Sequence, residues 1–277
     1  MRLALLAAAA TLALATPALA DDHRGVTAER HDHHGALKAA VASDARGEDS
    51  ARDAWRHPFE TLDFFQVKPG MTVVDYMPAG GWYTRILVPY LGSEGRYIGL
   101  TPDPAAADGE RFATYFGGLP GKFEEASPGW NLTGAPTSIY GSQDVPEAMQ
   151  GSVDRALIFR EMHNLLRSGV LYTELTRIRS MLKDDGMLGI VQHRAKDDAP
   201  GDYTLGTNGY LREEDVIALV EAHGFELVGM SDINANPADP ASWEGGVWTL
   251  PPSNSGDVPE AAATGESDRM TLLFRKR

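Results

Sequence analysis

The stretch Met71-Thr-Val-Val-Asp-Tyr-Met-Pro-Ala-Gly-Gly-Trp-Tyr-Thr84 decides the fold of this chain. Thr72-Val73-Val74 is a β-branched run that ends on an acid, Asp75. Pro78-Ala79-Gly80-Gly81 is a small-residue turn, and Tyr83, Ile86, Leu87 and Tyr90 then recur at helical spacing. Strand, glycine turn and helix in that order make the opening unit of a doubly wound nucleotide-binding sheet. Gly80 and Gly81 let a ligand approach the backbone closely, and the helix behind them presents unpaired N–H groups. An acid at the strand end suits a ligand that carries a cationic amino group.

On these residues the stretch resembles motif I of the class I S-adenosylmethionine-dependent methyltransferases. Pro69-Gly70-Met71-Thr72-Val73 with Gly80-Gly81-Trp82-Tyr83-Thr84 resembles, more narrowly, an exported bacterial branch of predicted methyltransferases. The resemblance implies that Asp75, Tyr76, Met77, Pro78, Ala79, Gly80, Gly81, Trp82 and Tyr83 hold S-adenosylmethionine. The general motif reads acid-x-Gly-x-Gly-x-Gly. Here Met77 and Ala79 stand at the first two glycine positions and only Gly81 keeps the third. The other reading of the same residues is an ordinary strand–helix turn that binds nothing.

The chain has 277 residues, enough for one substantial core. Arg2, an apolar Ala/Leu run and Ala18-Leu19-Ala20 read as a cleavable leader over residues 1–20, giving a periplasmic or secreted protein beginning near Asp21. The alternative of a retained anchor needs a longer apolar run. With no cysteine, disulfides, thiolate metal sites and a cysteine nucleophile are excluded. The net charge of −14, with neither a basic patch nor a basic stripe, argues against nucleic-acid and anionic-membrane partners. A small-molecule substrate is the expected partner, and the oligomeric state is open.

Residues 21–50 read as a polar tail carrying His23, His31, His33 and His34. Imidazole and carboxylate suit a transition metal, but no second ligand cluster supports one, so no metal site is assigned. The domain is expected over 51–277, starting with a helix over 51–66 interrupted near Pro58. Arg56 and His57 in it are candidates to face the pocket. Pro89 is expected to kink or end the helix after motif I, and Gly95–Leu100 reads as the second strand. By the resemblance this strand should end on a ribose-binding acid, but Thr101-Pro102-Asp103 stands there, so either Thr101 or Asp103 takes that place or the ribose contact is missing. A helix over 105–116, a Gly/Pro-rich loop over 117–135 and a third strand over 136–140 follow. Ser142 and Asp144 stand where the family reads adenine, although both are also good turn residues.

The fourth strand, 152–159, ends at Phe159 and runs into Arg160-Glu161-Met162-His163. In a doubly wound sheet the ligand crevice lies beyond the strands' carboxyl ends. That places Glu161 and His163 at its mouth, with His163 read either as a proton acceptor or as a structural histidine. A helix over 170–182 and a fifth strand over 187–191 lead to His193-Arg194-Ala195, which the exported branch also shows. His193 and Arg194 are read as polar substrate contacts opposite His163. Residues 196–209 read as a polar lid, 211–223 as a helix, 225–231 and 267–275 as strands, and 232–266 as an insertion. Trp243 and Trp248 in the insertion either cover the site or pin the loop.

Together these readings give an α/β, Rossmann-like class I methyltransferase fold, its seven-stranded sheet mostly parallel with an antiparallel last strand and helices on both faces. The function implied is methyl transfer from S-adenosylmethionine to a small-molecule acceptor in the cell envelope. Glu161, His163 and His193 would orient or deprotonate the acceptor. The alternatives are a non-catalytic binding protein on a degenerate methyltransferase fold and, last, a hydrolase built on the two histidines. The latter lacks a Gly-x-Ser-x-Gly elbow and a zinc signature.

Overall fold

The computed structural model describes residues 33–277. The expected leader and cleavage site, together with His23 and His31, lie outside the described residues. The chain runs α1 (33–41), α2 (Asp53–Arg56), α3 (Pro58–Phe64), β1 (Thr72–Tyr76), α4 (Thr84–Leu91), β2 (Arg96–Thr101), α5 (Glu110–Gly117), α6 (Leu119–Ala126) and β3 (Thr137–Gly141). It continues with β4 (Val153–Phe159), α7 (Met162–Arg167), α8 (Leu171–Met181), β5 (Leu182–His193), α9 (Glu213–Ala222), β6 (Phe225–Ser231), α10 (Pro259–Thr264) and β7 (Arg269–Lys276).

The strands form one seven-stranded sheet in the order β3-β2-β1-β4-β5-β7-β6. β1 pairs in parallel with β2 and β4, and β5 with β4, whereas β7 runs antiparallel between β5 and β6. The expected sheet and its antiparallel last strand are therefore present. Successive side chains of a strand point to opposite faces, and β1 shows it. Val74 and Tyr76 join a core with Ile158, Ile190, Leu175 and Val220, under α8 and α9. Val73 joins the opposite core with Leu37, Leu62, Ile86 and Leu87, under α1, α3 and α4. Phe65 lies flat on β5 because Gly189 leaves it room; a Cβ there would stand 2.7 Å from the ring.

Three expectations need correction, and one holds. Residues 33–41 are not a solvated tail but a helix whose Leu37 and Ala40 are buried in the second core. The helix over 51–66 is interrupted near Pro58 as expected: His57 takes a left-handed backbone (φ 39°) so that Pro58 can open α3 in a new direction. Pro89 neither ends nor breaks α4, which continues to Leu91, where the missing N–H affects only the last turn. The loop over 117–135 contains α6, whose Pro120 sits in the first turn, where proline is compatible with a helix. Through α6, Phe123 stacks on Tyr97 at 6.3 Å.

The segments over 196–209 and 232–266 pack on one another. Asp239 organises them, accepting from the Tyr210 hydroxyl, the Trp243 indole and the backbone of Ala241 and Asp268 at 2.9–3.0 Å. The Tyr203 hydroxyl donates to the Trp243 carbonyl at 2.9 Å, and Asn234 donates to Thr61 and Thr271 at 2.9 and 3.0 Å. Trp243 pins the insertion, and the segment read as a lid is held down by Tyr203. Among the described residues no helix is long and apolar enough to cross a membrane.

If α1 belongs to the core, Leu37→Ala should destabilise the fold by about 2–3 kcal/mol through the cavity it leaves. Urea unfolding followed by far-UV circular dichroism checks this; a solvated tail would leave the midpoint unchanged.

Candidate functional site

The connections after β1 and after β4 leave the sheet in opposite senses, which leaves a crevice at the carboxyl ends of these neighbouring strands. Two adjoining cavities occupy it and share Met77, Pro78 and Ala79. The first, about 180 Å³, is mainly apolar and runs past Thr101 at the end of β2 to Leu119, Phe123 and Ile139. The second, about 220 Å³, reaches Asp75, Gly80, Trp82, Tyr83, Phe159, Arg160 and Glu161, with Asp49, Arg52, Arg56 and Arg85 around it.

The wall between them is the motif turn. Met77 and Ala79 have φ of 52° and 48°, and Gly81 has φ of 77°. The backbone thus has the left-handed form that glycine favours, although two of the three positions carry side chains, at a strain of roughly 1 kcal/mol each. Gly81 is needed for a second reason: a Cβ on it would lie 2.4 Å from the Trp130 ring, which covers the turn from beyond α6. Trp82 does not point at the first cavity. Its indole lies between the guanidinium groups of Arg46 and Arg56, at 4.9 and 4.8 Å, and donates to the Asp49 carbonyl at 3.1 Å. It fastens the segment after α1 over the site. Tyr83 stacks on Phe159 with ring centroids 3.5 Å apart, joining the start of α4 to the end of β4.

Asp75 is buried at the bottom of the second cavity. Its carboxylate accepts from the Tyr97 hydroxyl at 2.8 Å, and that hydroxyl is 2.7 Å from Thr84 Oγ1. Burial pushes the Asp75 carboxyl up to about 7, with the Tyr97 bond and Arg160 pulling the other way. Burial likewise raises Glu161 to about 7, although Asn164 donates to it at 2.6 Å. Two acids that titrate near neutrality therefore face one space, which suits holding a cation or taking a proton.

The other expected contacts fall elsewhere. Asp103 caps Ala105 at 2.8 Å and accepts from Arg177 at 3.0 Å, so it does not reach the first cavity. Ser142 is buried between Glu174 and Arg177, 2.7 Å from each, and ties the end of β3 to α8. Asp144 is exposed and accepts from Gln143. Tyr76 points into the core on the α8 face. Three of them follow strand ends and Tyr76 closes β1, but pairing with α8, exposure or, for Tyr76, the alternation of the strand takes them away from the crevice.

His163 and His193 do come together, their rings 5.6 Å apart, but neither lines the two cavities. His163 stands against Trp248 and 3.4 Å from Gln192, and burial lowers it to about 4. His193 bonds Ser267 at 2.6 Å and is lowered by burial, then by His163 and the nearby arginines. Both are neutral structural rings. Arg194 is fully occupied by Asp268, Asp232 and Glu213. It anchors the insertion and is not a substrate contact. Of the pair Arg56 and His57, only Arg56 lines the cavity.

Sequence reasoning did not assign Arg160, Asp49, Arg85, Phe123 or Ile139. Arg160 was adjacent to a recognised strand end, but its left-handed backbone (φ 63°) has no signature in the sequence. Among the described residues no group of three or more His, Asp or Glu side chains is placed to hold a metal ion.

No family model matches the sequence, and no curated protein does. Solved structures match through the fold. A chain of the Haloferax volcanii complex between the Trm112 methyltransferase activator and a candidate methyltransferase has a TM-score of 0.50 at 14% identity, over 87% of this chain and 97% of that one. An S-adenosylmethionine-dependent methyltransferase from Aquifex aeolicus has a TM-score of 0.48 at 15% identity, over 88% and 98%. The Burkholderia thailandensis 1,6-didemethyltoxoflavin-N1-methyltransferase, solved with S-adenosylhomocysteine, has a TM-score of 0.43 at 15% identity, over 95% and 93%. At such identities the likeness speaks for the fold alone. With the strand order, the Haloferax likeness gives a class I methyltransferase, Rossmann-like fold.

The raised Asp75 pKa has a sign that can be tested. Between its ordinary value of 3.8 and about 7, the folded chain keeps a proton that the unfolded chain has lost. The group's contribution to stability is therefore full below that window and is lost as pH rises through it. His163 acts in the opposite sense, but equally in parent and variant. Asp75→Asn should thus gain stability over the parent, by about 1–3 kcal/mol, on going from about pH 5 to about pH 8. Thermal unfolding of both chains across that range checks it; a constant difference would contradict a raised Asp75.

Proposed function

We propose that the protein is a methyltransferase that uses S-adenosylmethionine and acts on a small molecule. The observation that carries this reading is the continuous crevice in which the motif turn separates an apolar slot from an acid-floored chamber. The residues present fit the cofactor in three respects. Pro78, Leu119, Phe123 and Ile139 make an apolar slot of the kind a purine ring enters. The left-handed turn over Met77, Ala79 and Gly81 exposes backbone to a ligand. Asp75 offers a carboxylate for an ammonium group. They depart in one respect: Thr101, not an acid, ends β2 at the cavity. When bound, the cofactor supplies an electrophilic methyl group on a sulfonium.

The chain's own contribution follows from the geometry. Tyr97 and Thr84 fix the Asp75 carboxylate, so its orientation is set before any ligand arrives. Stacked Tyr83 and Phe159 give the chamber one apolar wall, beside which a charge interaction is stronger than in open water. Glu161 is the group placed to take a proton from an acceptor oxygen or nitrogen, since it lines the chamber and titrates near neutrality. The proposed setting is the periplasm or the exterior, supported by the leader at 1–20 and by the likeness of Gly80-Gly81-Trp82-Tyr83-Thr84 to the exported branch. A second reading, a binding protein without methyl transfer, is favoured by the engagement of Asp103 with Arg177, which leaves β2 without a ribose-binding acid.

Calorimetric titration of the chain with S-adenosylmethionine and S-adenosylhomocysteine separates the two. Dissociation constants on the order of micromolar are expected, and Asp75→Asn should weaken both ligands about tenfold. 5′-Methylthioadenosine, which lacks the amino-acid end, should bind parent and variant alike. No heat at about millimolar ligand, with an unchanged melting temperature, would remove the methyl-transfer reading.

A further inference from the structure

This acidic chain gathers a cluster of arginines beside the second cavity. Arg52, Arg56 and Arg269 all converge on the carboxylate of Glu266, at 2.7, 3.1 and 2.9 Å. Burial alone would raise Glu266, but the surrounding arginines, Arg56 first, hold it below its ordinary value, so it is fully ionised. Arg160 stands beside this cluster at the end of β4 and lines the second cavity together with Arg52 and Arg56. Among the described residues its guanidinium has no hydrogen-bond or ion-pair partner; it feels Glu266 and Glu161 only through space.

The acids at hand do not balance these cations. Asp49 is taken by Arg85, whose Nε donates to it at 2.6 Å. Burial raises Asp75 and Glu161 to about 7, so each is partly protonated at neutral pH. Four arginines, Arg56 and Arg269 buried and Arg52 and Arg160 half-buried, thus surround one fully charged carboxylate. Buried charge without a counter-charge is costly, and the surplus shows in Arg56, which burial and then Arg160 bring down to about 8. An anion entering beside Arg160 relieves it.

We propose that Arg160, backed by Arg56, is an oxyanion subsite that receives the acid group of the substrate, which makes the acceptor a small organic acid carrying a carboxylate or phosphate. The assignment of that anion to an acceptor rests on the methyl-transfer reading; the subsite itself does not. The cofactor brings a carboxylate too, but it also brings an ammonium and a sulfonium. Its entry adds net positive charge to a chamber already in surplus. A separate acid is the ligand that brings the cluster toward neutrality, and a planar guanidinium suits its two oxygens.

The test uses the chain with benzoate and inorganic phosphate as anion probes, at constant ionic strength in chloride, with and without saturating S-adenosylhomocysteine. The expected result is saturable binding of at least one anion by calorimetry. Arg160→Gln should weaken it about tenfold or more and Arg160→Lys should lose less. S-adenosylhomocysteine and 5′-methylthioadenosine should each change less than about threefold in Arg160→Gln. Because it removes one of several like charges, Arg160→Gln should melt no lower than the parent. Two results overturn the proposal: no anion binding by the parent, or an Arg160→Gln variant that loses S-adenosylhomocysteine but not 5′-methylthioadenosine. The latter would assign the guanidinium to the cofactor's own carboxylate. Anion binding without any binding of the two nucleosides would keep the oxyanion subsite and remove the methyl-transfer reading.

Discussion

β1 and β4 are hydrogen-bonded neighbours whose following connections depart to opposite sides of the sheet. No crossover can then cover the backbone between their carboxyl ends, and a crevice is left there. The rest of the site is a response to that gap. The turn after β1 forms its dividing wall, Phe159 and Arg160 at the end of β4 form its far side, and α4 begins beside it. The segment between α1 and α3 closes it from above, fastened by the Trp82 ring between Arg46 and Arg56.

The crevice is also where the electrostatics of the chain are concentrated. Asp75 and Glu161 are raised and Arg56, Arg160 and Arg269 are lowered, burial being the first cause in each case. Elsewhere charges are paired into structure: Arg194 with the acids around Asp268, Arg46 with Asp53, Arg177 with Asp103. That contrast separates the arginines that hold the fold together from the one that faces open space. It also explains why an acidic chain can carry a cationic chamber, since net charge describes the whole surface and not a cavity.

Strain follows the same division. Met77, Ala79 and Arg160 take left-handed backbones at the crevice, where L residues are disfavoured. The surrounding contacts, including the Met77 N–H bond to the Leu100 carbonyl at 2.8 Å, over-determine the turn enough to hold it. The glycine pattern of the motif is therefore incomplete in sequence while the glycine-type geometry is complete in space.

What the residues determined on their own was local and periodic. The β-branched run Thr72–Val74, the turn at Pro78–Gly81 and the helical spacing that follows specified the first βα unit, while the strand order with its antiparallel last strand was implied only by the resemblance to the methyltransferases. Asp75, Phe159 and Glu161 were legible because strand ends mark the crevice in such a sheet. Tertiary structure alone decided which polar groups reach it. Asp103 and Ser142 meet Arg177 and Glu174 from α8, far along the chain, and Arg194 meets Asp268, so their pairing could not be read from spacing. The fate of a polar side chain is set by the partner with which it is desolvated, and that partner is known only once helices and insertion have packed. For the same reason Arg160 emerged only in three dimensions: its significance lies in having no partner among the described residues where its neighbours have one.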